Sequence, residues 1–150
     1  MHRTRVKVCC MMSVAETEVA VALGADALGL VGPMPSGPGV IEDETAARLA
    51  SAVSPLDSGR PSAKLPKLGG TGQRHDWDVS AKFVKRSPIP VFLAGGLRPE
   101  NVEEAVATVK PFGVDLCTGV RSDGHLDPGK LHRFMSSVAK ADRSLREQTS

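Results

Sequence analysis

One thiol and one carboxyl in this sequence could move protons, and two glycine turns could hold an anion. Cys9 closes an apolar run near the start of the chain. Its thiol, which ordinarily ionises near ~8.5, would serve as a base or nucleophile if a neighbouring cation or dipole lowered that value. By residue type alone Cys9 reads more readily as a small hydrophobe inside a strand. Asp57 precedes Ser58-Gly59; most aspartates so placed are solvated turn residues, whereas a protonated carboxyl there could act as an acid. Gly95-Gly96 ends one apolar run and Thr118-Gly119-Val120 follows another. Backbone N–H groups bared by glycine suit a phosphate dianion, and the same glycines also serve plain tight turns.

These residues matter together only if the chain's elements bring the ends of several apolar runs to one place. Residues 5–12 are apolar after their first positions and suit a strand of a parallel sheet covered on both faces. Ser13 and Glu16 then have the spacing of a capping box, Val14, Val19 and Leu23 lie on one helical stripe, and Gly24 stands where the helix should end. Residues 25–31 read as a second strand, residues 32–39 as a loop, and residues 43–53 as a second helix with Asp43 as its N-cap. The pattern then fails over residues 54–76, where three prolines and four glycines make a long irregular stretch. Order returns with a short helix over 78–86, a strand over 89–94, and an amphipathic helix that starts at Pro99. A strand over 114–117 and a helix over 128–139 follow, then a polar tail expected to fray. The organisation expected is one domain over residues 1–140 and a polar tail over 141–150.

Strand followed by helix, four times at intervals of about 20 residues, is the pattern of right-handed βαβ crossovers. The expected class is α/β with a parallel sheet. A closed (β/α)8 barrel needs upwards of ~200 residues, so 150 residues allow an incomplete (β/α)8 barrel of about four units plus a remnant. In such a barrel chemistry sits at the C-terminal ends of the strands, and Cys9, Gly95, Gly96, Thr118 and Gly119 all fall there.

Bulk composition narrows the partners. Hydrophobic residues make up 41% and charged residues 24% of the chain, which fits a globular fold rather than disorder. No apolar run approaches the roughly 18 residues of a membrane span, and Glu16 and Glu18 fall where a secretory signal would be small and neutral. The net charge of +2 is scattered, without a basic stripe or aromatic partners, so nucleic acid is not expected. Cys9, Cys10 and Cys117 cannot all pair, and adjacent cysteines bridge only with strain, so a reducing cytoplasm is the expected setting. His2, His75, His125 and His132 share no metal-ligand spacing, and no metal is expected.

Lys7-Val8-Cys9-Cys10 resembles the K-[IV]-C-G opening of phosphoribosylanthranilate isomerases, and Gly24-Ala25-Asp26-Ala27-Leu28-Gly29 is similar to their second-strand entry. Leu56-Asp57-Ser58, Gly69-Gly70-Thr71-Gly72 and His75-Asp76-Trp77 resemble the family's LD…GGTG…DW segment. Leu93-Ala94-Gly95-Gly96-Leu97 with Pro99-Glu100-Asn101-Val102, then Pro111-Phe112-Gly113-Val114-Asp115 with Thr118-Gly119-Val120, resemble its seventh and eighth strand motifs. The likeness covers residues 5–53 and 56–140, and the two blocks adjoin where the family has about three more βα units.

The resemblance implies an Amadori rearrangement of N-(5-phosphoribosyl)anthranilate, an aminoaldose becoming an aminoketose in tryptophan biosynthesis, without a cofactor. It implies Cys9 as general base and Asp57 as general acid. It also implies Gly95, Gly96 and the Thr118, Gly119, Val120 turn around the phosphate, Asp115 near the substrate, and Thr71 and Gly72 in a loop closing over it. Cys10 and Met12 depart from the family's Gly and Thr, and Ser36-Gly37-Pro38-Gly39-Val40 lacks the family's arginine. Beside the isomerase two readings stand: a sugar-phosphate binder without catalysis, and an inactive deletion form. Four units leave open sheet edges, through which two copies could pair.

Overall fold

The computed structural model describes residues 3–31, 41–42, 44–45, 48–49 and 76–148. Asp57, Thr71 and Gly72 therefore lie outside the described residues, as do the loop of residues 32–39, most of the second expected helix and nearly all of the irregular stretch.

Four parallel strands form one sheet: β1 (Arg5–Val8), β2 (Ala27–Leu28), β3 (Phe92–Ala94) and β4 (Gly113–Leu116). Their order is β2-β1-β4-β3, so the first strand lies against the last. Arg5 faces Gly113, Lys7 faces Asp115 and Val8 faces Leu116. A chain that closes its last strand onto its first has the connectivity of a barrel wall on either side of the closing seam.

Among the described residues, helices α1 (Val14–Ala22), α2 (Trp77–Arg86), α3 (Val102–Val109) and α4 (Pro128–Glu147) have their full bounds described and pack on one side. Alternation along the strands decides which residues meet them. Val6, Val8, Leu93, Val114 and Leu116 point outward and are buried with Ala20, Val102, Val106, Leu131, Phe134 and Val138. Lys7, Cys9, Asp115 and Cys117 point to the other face and are only half-buried, while Arg5, Phe92 and Ala94 are exposed. Among the described residues β1 is thus covered on one face, not on both. The reason is chemical: its inward positions carry Arg5 and Lys7, which no helix could bury cheaply. β1 also ends at Val8 rather than at residue 12, because Cys10 has a positive φ of 66° that breaks the extended run.

Two polar anchors fix the N-terminal strand. Asp26 accepts from the Val6 amide at 2.9 Å and from Arg5 at 3.0 Å. Asp142, buried on α4, accepts from the Thr4 amide at 3.0 Å and the Thr4 hydroxyl at 2.7 Å. That second anchor explains why α4 continues past Ala139 to Glu147: Ala141 and Asp142 face the core, so this segment is held rather than frayed. Ser13 caps α1 as expected, accepting from the Glu16 amide at 3.2 Å. α3 starts at Val102, not Pro99, because the backbone at Asn101, with φ of −123°, lies outside helical geometry.

Between β4 and α4 the chain makes a 3-10 turn (Thr118–Val120) and a small hairpin, β5 (Arg121–Ser122) with β6 (His125–Leu126). Asp123 and Gly124, with φ of 50° and 81°, form its two-residue turn, the Asp-Gly chemistry such turns favour.

Candidate active site

The rim formed by the C-terminal ends of the four strands gathers every described residue named from the sequence. Cys9 follows β1, and its amide donates to the Leu116 carbonyl at 2.8 Å, which seats it beside Cys117 at the end of β4. Gly29 after β2 presses on it: a Cβ there would stand 2.9 Å from the Cys9 sulfur. Gly95 and Gly96 follow β3 with φ of 105° and 62°, a left-handed pair that only glycine adopts without strain.

Two contacts bring the glycine turns together. A side chain at Gly119 would collide with the Leu97 carbonyl oxygen, so the 3-10 turn rests directly on the loop after β3. Asn101 braces that loop from within, accepting from the Arg98 amide at 2.8 Å and donating to the Gly96 carbonyl at 3.0 Å. Beside them lies a cleft of about 270 Å³ lined by Arg98, Pro99, Glu100, Thr118, Gly119 and Lys130. Arg98 and Lys130 in this lining are of the charge that attracts an anion, with Glu100 opposing them and Lys130 donating to the Arg121 carbonyl at 2.7 Å. The Val120 side chain is buried in the core, which leaves only its backbone for such a role.

Asp115 sits lower on the inner face. Its Oδ2 accepts from the Lys7 ammonium at 2.7 Å, while its Oδ1 is buried without a hydrogen-bond partner. Burial works against the Lys7 ammonium, yet the Asp115 carboxylate outweighs it and holds the pKa of Lys7 above its usual value.

Three thiols meet at the rim. The proton kept by Cys10 favours the ionised form of both Cys9 and Cys117. The bond from Cys10, aided by the Lys7 charge and opposed by burial, holds Cys9 below the usual thiol range. Cys117 is held down to about 6, by Cys10 first and by Arg121 after burial has acted the other way. Cys10 moves the opposite way and keeps its proton, because giving it up would leave adjacent thiolates without a donor.

Arg121 was not singled out from the sequence, and with Glu16 it holds this rim together. The Arg121 guanidinium, only 4% exposed, donates to the carbonyls of Cys9 at 3.5 Å and Gly124 at 2.9 Å, and to that of Cys10. It also pairs with Glu16 at 3.2 Å. Glu16 accepts in addition from the Met12 amide at 3.0 Å and the Leu126 amide at 2.9 Å. Despite burial, those amides and Arg121 hold its carboxyl below the usual range. The capping-box spacing found the residue but not this use of it. Partners 105 positions apart leave no local pattern. Among the described residues, no group of His, Cys, Asp and Glu is arranged to hold a metal ion, and no helix is long and apolar enough to cross a membrane.

Fold and rim together define part of a (β/α)8 barrel with two glycine turns beside its closing strands. Residues 42–137 match the model of the N-(5'-phosphoribosyl)anthranilate isomerase family, more than half of the chain, and the chain belongs to that family. A relative from Methanopyrus kandleri, an N-(5'-phosphoribosyl)anthranilate isomerase, is 44% identical over 100 residues, covering 66% of this chain and 45% of its own length. The corresponding protein of Methanosarcina acetivorans is 45% identical over 83 residues, 55% of this chain and 33% of its own length. The chain thus matches less than half the length of these relatives. The fold of the phosphoribosyl anthranilate isomerase of Thermotoga maritima superposes with a TM-score of 0.75 at 22% identity, over 91% of this chain and 99% of that one. That of Thermus thermophilus gives 0.75 at 23% identity, over the same shares.

Proposed function

We propose that this chain carries out the isomerase reaction of its family, converting N-(5'-phosphoribosyl)anthranilate to 1-(o-carboxyphenylamino)-1-deoxyribulose 5-phosphate. The observation that carries the proposal is the placement of a thiol disposed to ionise, Cys9, on the same rim as the Gly95-Gly96 and Thr118-Gly119 turns. Asp57, outside the described residues, protonates the ribose ring oxygen and opens the ring to an imine. The Cys9 thiolate removes the C2 proton, and the enolamine formed tautomerises to the ketone. One acid and one base suffice, and no cofactor takes part. The Gly96, Thr118, Gly119 and Val120 amides, with Arg98 and Lys130 beside them, hold the phosphate, and the free Oδ1 of Asp115 accepts from a sugar hydroxyl. Thr71 and Gly72 belong to the covering loop.

A relative's structure was obtained in complex with reduced 1-(o-carboxyphenylamino)-1-deoxyribulose 5-phosphate, which supports a phosphosugar substrate. The four described strands of the sheet do not enclose it by themselves. A second copy, related by a two-fold axis along the barrel, would lay its β2 beside the first copy's β3 and complete eight parallel strands. Ile89 and Phe92, at 69% and 40% exposed, lie before and on β3, where the partner would cover them.

The test is turnover by the purified chain, followed by the fading fluorescence of phosphoribosylanthranilate, with Cys9→Ala and Asp57→Ala as controls and sedimentation equilibrium alongside. Turnover lost in both variants, by a dimer, is the expected result. Turnover untouched by both substitutions would overturn the assignment. Stabilisation by ribose 5-phosphate without turnover would instead favour the non-catalytic binder.

A further inference from the structure

A base and an anion cleft on one rim serve a single substrate only if the span between them is fixed, and one buried side chain ties both. Arg121 follows directly on the Thr118–Val120 turn. Toward β1 its guanidinium donates to the carbonyls of Cys9 at 3.5 Å and of Cys10. Toward the cleft its own backbone carbonyl accepts from the Lys130 ammonium at 2.7 Å, and Lys130 lines that cleft with Thr118 and Gly119.

The segment gripped in this way is one that needs holding. β1 ends at Val8, and Cys10 then takes φ of 66°, a left-handed conformation that a residue with a Cβ adopts at a cost. The two carbonyls that Arg121 engages are those before and after this kink, so their direction fixes ψ at both Cys9 and Cys10. Glu16, paired with Arg121 at 3.2 Å, grips the same segment from the other side by accepting from the Met12 amide at 3.0 Å. The cation thus holds carbonyls and the anion holds an amide within four consecutive residues.

We propose that Arg121 is a positioning residue that clamps residues 9–12 and so fixes the Cys9 thiol relative to the Thr118–Lys130 cleft. It acts through Cys9, since a guanidinium has no proton to trade in the reaction. Its effect on turnover rests on the proposed isomerase function; the clamp itself does not. Binding and chemistry should then divide. The cleft keeps the Arg121 backbone carbonyl whatever the side chain, so the phosphate is held as before. Proton removal by Cys9 is the step that suffers, because a misplacement of about 1 Å can cost roughly 10²-fold.

Two variants of the full chain separate positioning from plain support of the fold. Glu16→Gln alone strands the guanidinium in the interior but leaves its grip on the Cys9 and Cys10 carbonyls; adding Arg121→Met strands no ion and removes the grip. In turnover of phosphoribosylanthranilate the double variant should lose roughly 10²-fold in kcat with KM within about twofold of wild type. The single variant should keep the higher kcat while being the less stable of the two to urea. Activity that follows stability instead, or a double variant with wild-type kcat, overturns the proposal. Should the double variant fail to fold, Arg121→Lys replaces it, since a lysine keeps the charge opposite Glu16 without the planar fork that serves several carbonyls; kcat should fall about tenfold at unchanged KM, and wild-type kcat would again overturn the proposal. Amide hydrogen exchange reads the clamp without substrate. The Met11 amide, bonded to the Gly29 carbonyl at 3.0 Å, should lose protection when Arg121 is replaced and keep it in Glu16→Gln, with the Val6 amide on Asp26 protected throughout. A Met11 amide equally protected in all variants removes the clamp. A wild-type chain that never turns over, with Met11 responding as stated, sinks the isomerase and leaves the clamp standing.

Discussion

Replacing Glu16 by Gln should cost this fold about 3 kcal/mol. The substitution keeps the shape of the side chain and removes the charge opposite Arg121, whose guanidinium is 4% exposed. Breaking a buried ion pair by removing one partner costs about 3–5 kcal/mol, because the other charge is left buried and uncompensated. The low end applies because Arg121 keeps the carbonyls of Cys9, Cys10 and Gly124, and because a glutamine oxygen can still accept from the Leu126 or Met12 amide. For a chain of this length, that loss lowers Tm by roughly 6–12 °C. Urea unfolding followed by far-ultraviolet circular dichroism measures it. The pH dependence follows from the depressed pKa of Glu16. Its contribution is complete above the unfolded carboxyl value of about 4.3 and is lost as pH falls through the lower folded value. The gap between wild type and variant should therefore stay constant from neutrality to about pH 5 and close below about 4. Removing both charges, with Arg121→Met added, should recover part of the loss, since no ion is then stranded. A Glu16→Gln variant within about 0.5 kcal/mol of wild type, or a double variant worse than the sum of the singles, would refute the argument.

Cys10→Gly should be more stable than Cys10→Ala by about 1 kcal/mol in urea unfolding, the reverse of the usual order, because both lose the thiol but only glycine relieves φ of 66°. Either variant should shift the alkylation of Cys9 by iodoacetamide to higher pH, since the donor that favours its thiolate is gone; an unmoved profile would mean that Cys10 does not support it. Asp142→Ala should destabilise by about 2 kcal/mol and expose the Thr4 amide to rapid hydrogen exchange, because a buried donor loses its acceptor. Gly119→Ala should abolish stabilisation by inorganic phosphate or ribose 5-phosphate, as its methyl group can enter only by driving the turn off the Leu97 carbonyl; retained stabilisation would place the anion elsewhere.

What was legible in the sequence was local. Ser13 as an N-cap, the outward valines of β1 and β4, and the glycine turns after β3 and β4 each follow from a few neighbouring residues. The family likeness followed too, since its motifs keep their order, and the match over residues 42–137 bears it out. The Asp123-Gly124 hairpin was equally local and readable, yet a strand pair of two residues each carries too little alternation to be noticed. Illegible were the pairings over distance. Glu16 looks like half of a capping box, Arg121 like a surface cation, and Asp142 like part of a polar tail. Each is buried or nearly so because of a partner on the far side of the closing seam.

That seam is where the physics of this shortened barrel concentrates. β1 and β4 share the longest ladder in the sheet, and across it run Lys7–Asp115, Arg121–Glu16 and Thr4–Asp142. A barrel that loses units from its middle keeps this junction intact, because the first and last strands still meet and bring their loops with them. The thiol and the two glycine turns all hang on it. What is lost is enclosure: the inner face with Arg5, Phe92 and Ala94 exposed has no opposing wall among the described residues. The pocket's chemistry and the pocket's closure are therefore separable here, and phosphate affinity should persist at protein dilutions where turnover, if a second copy supplies the wall, is lost.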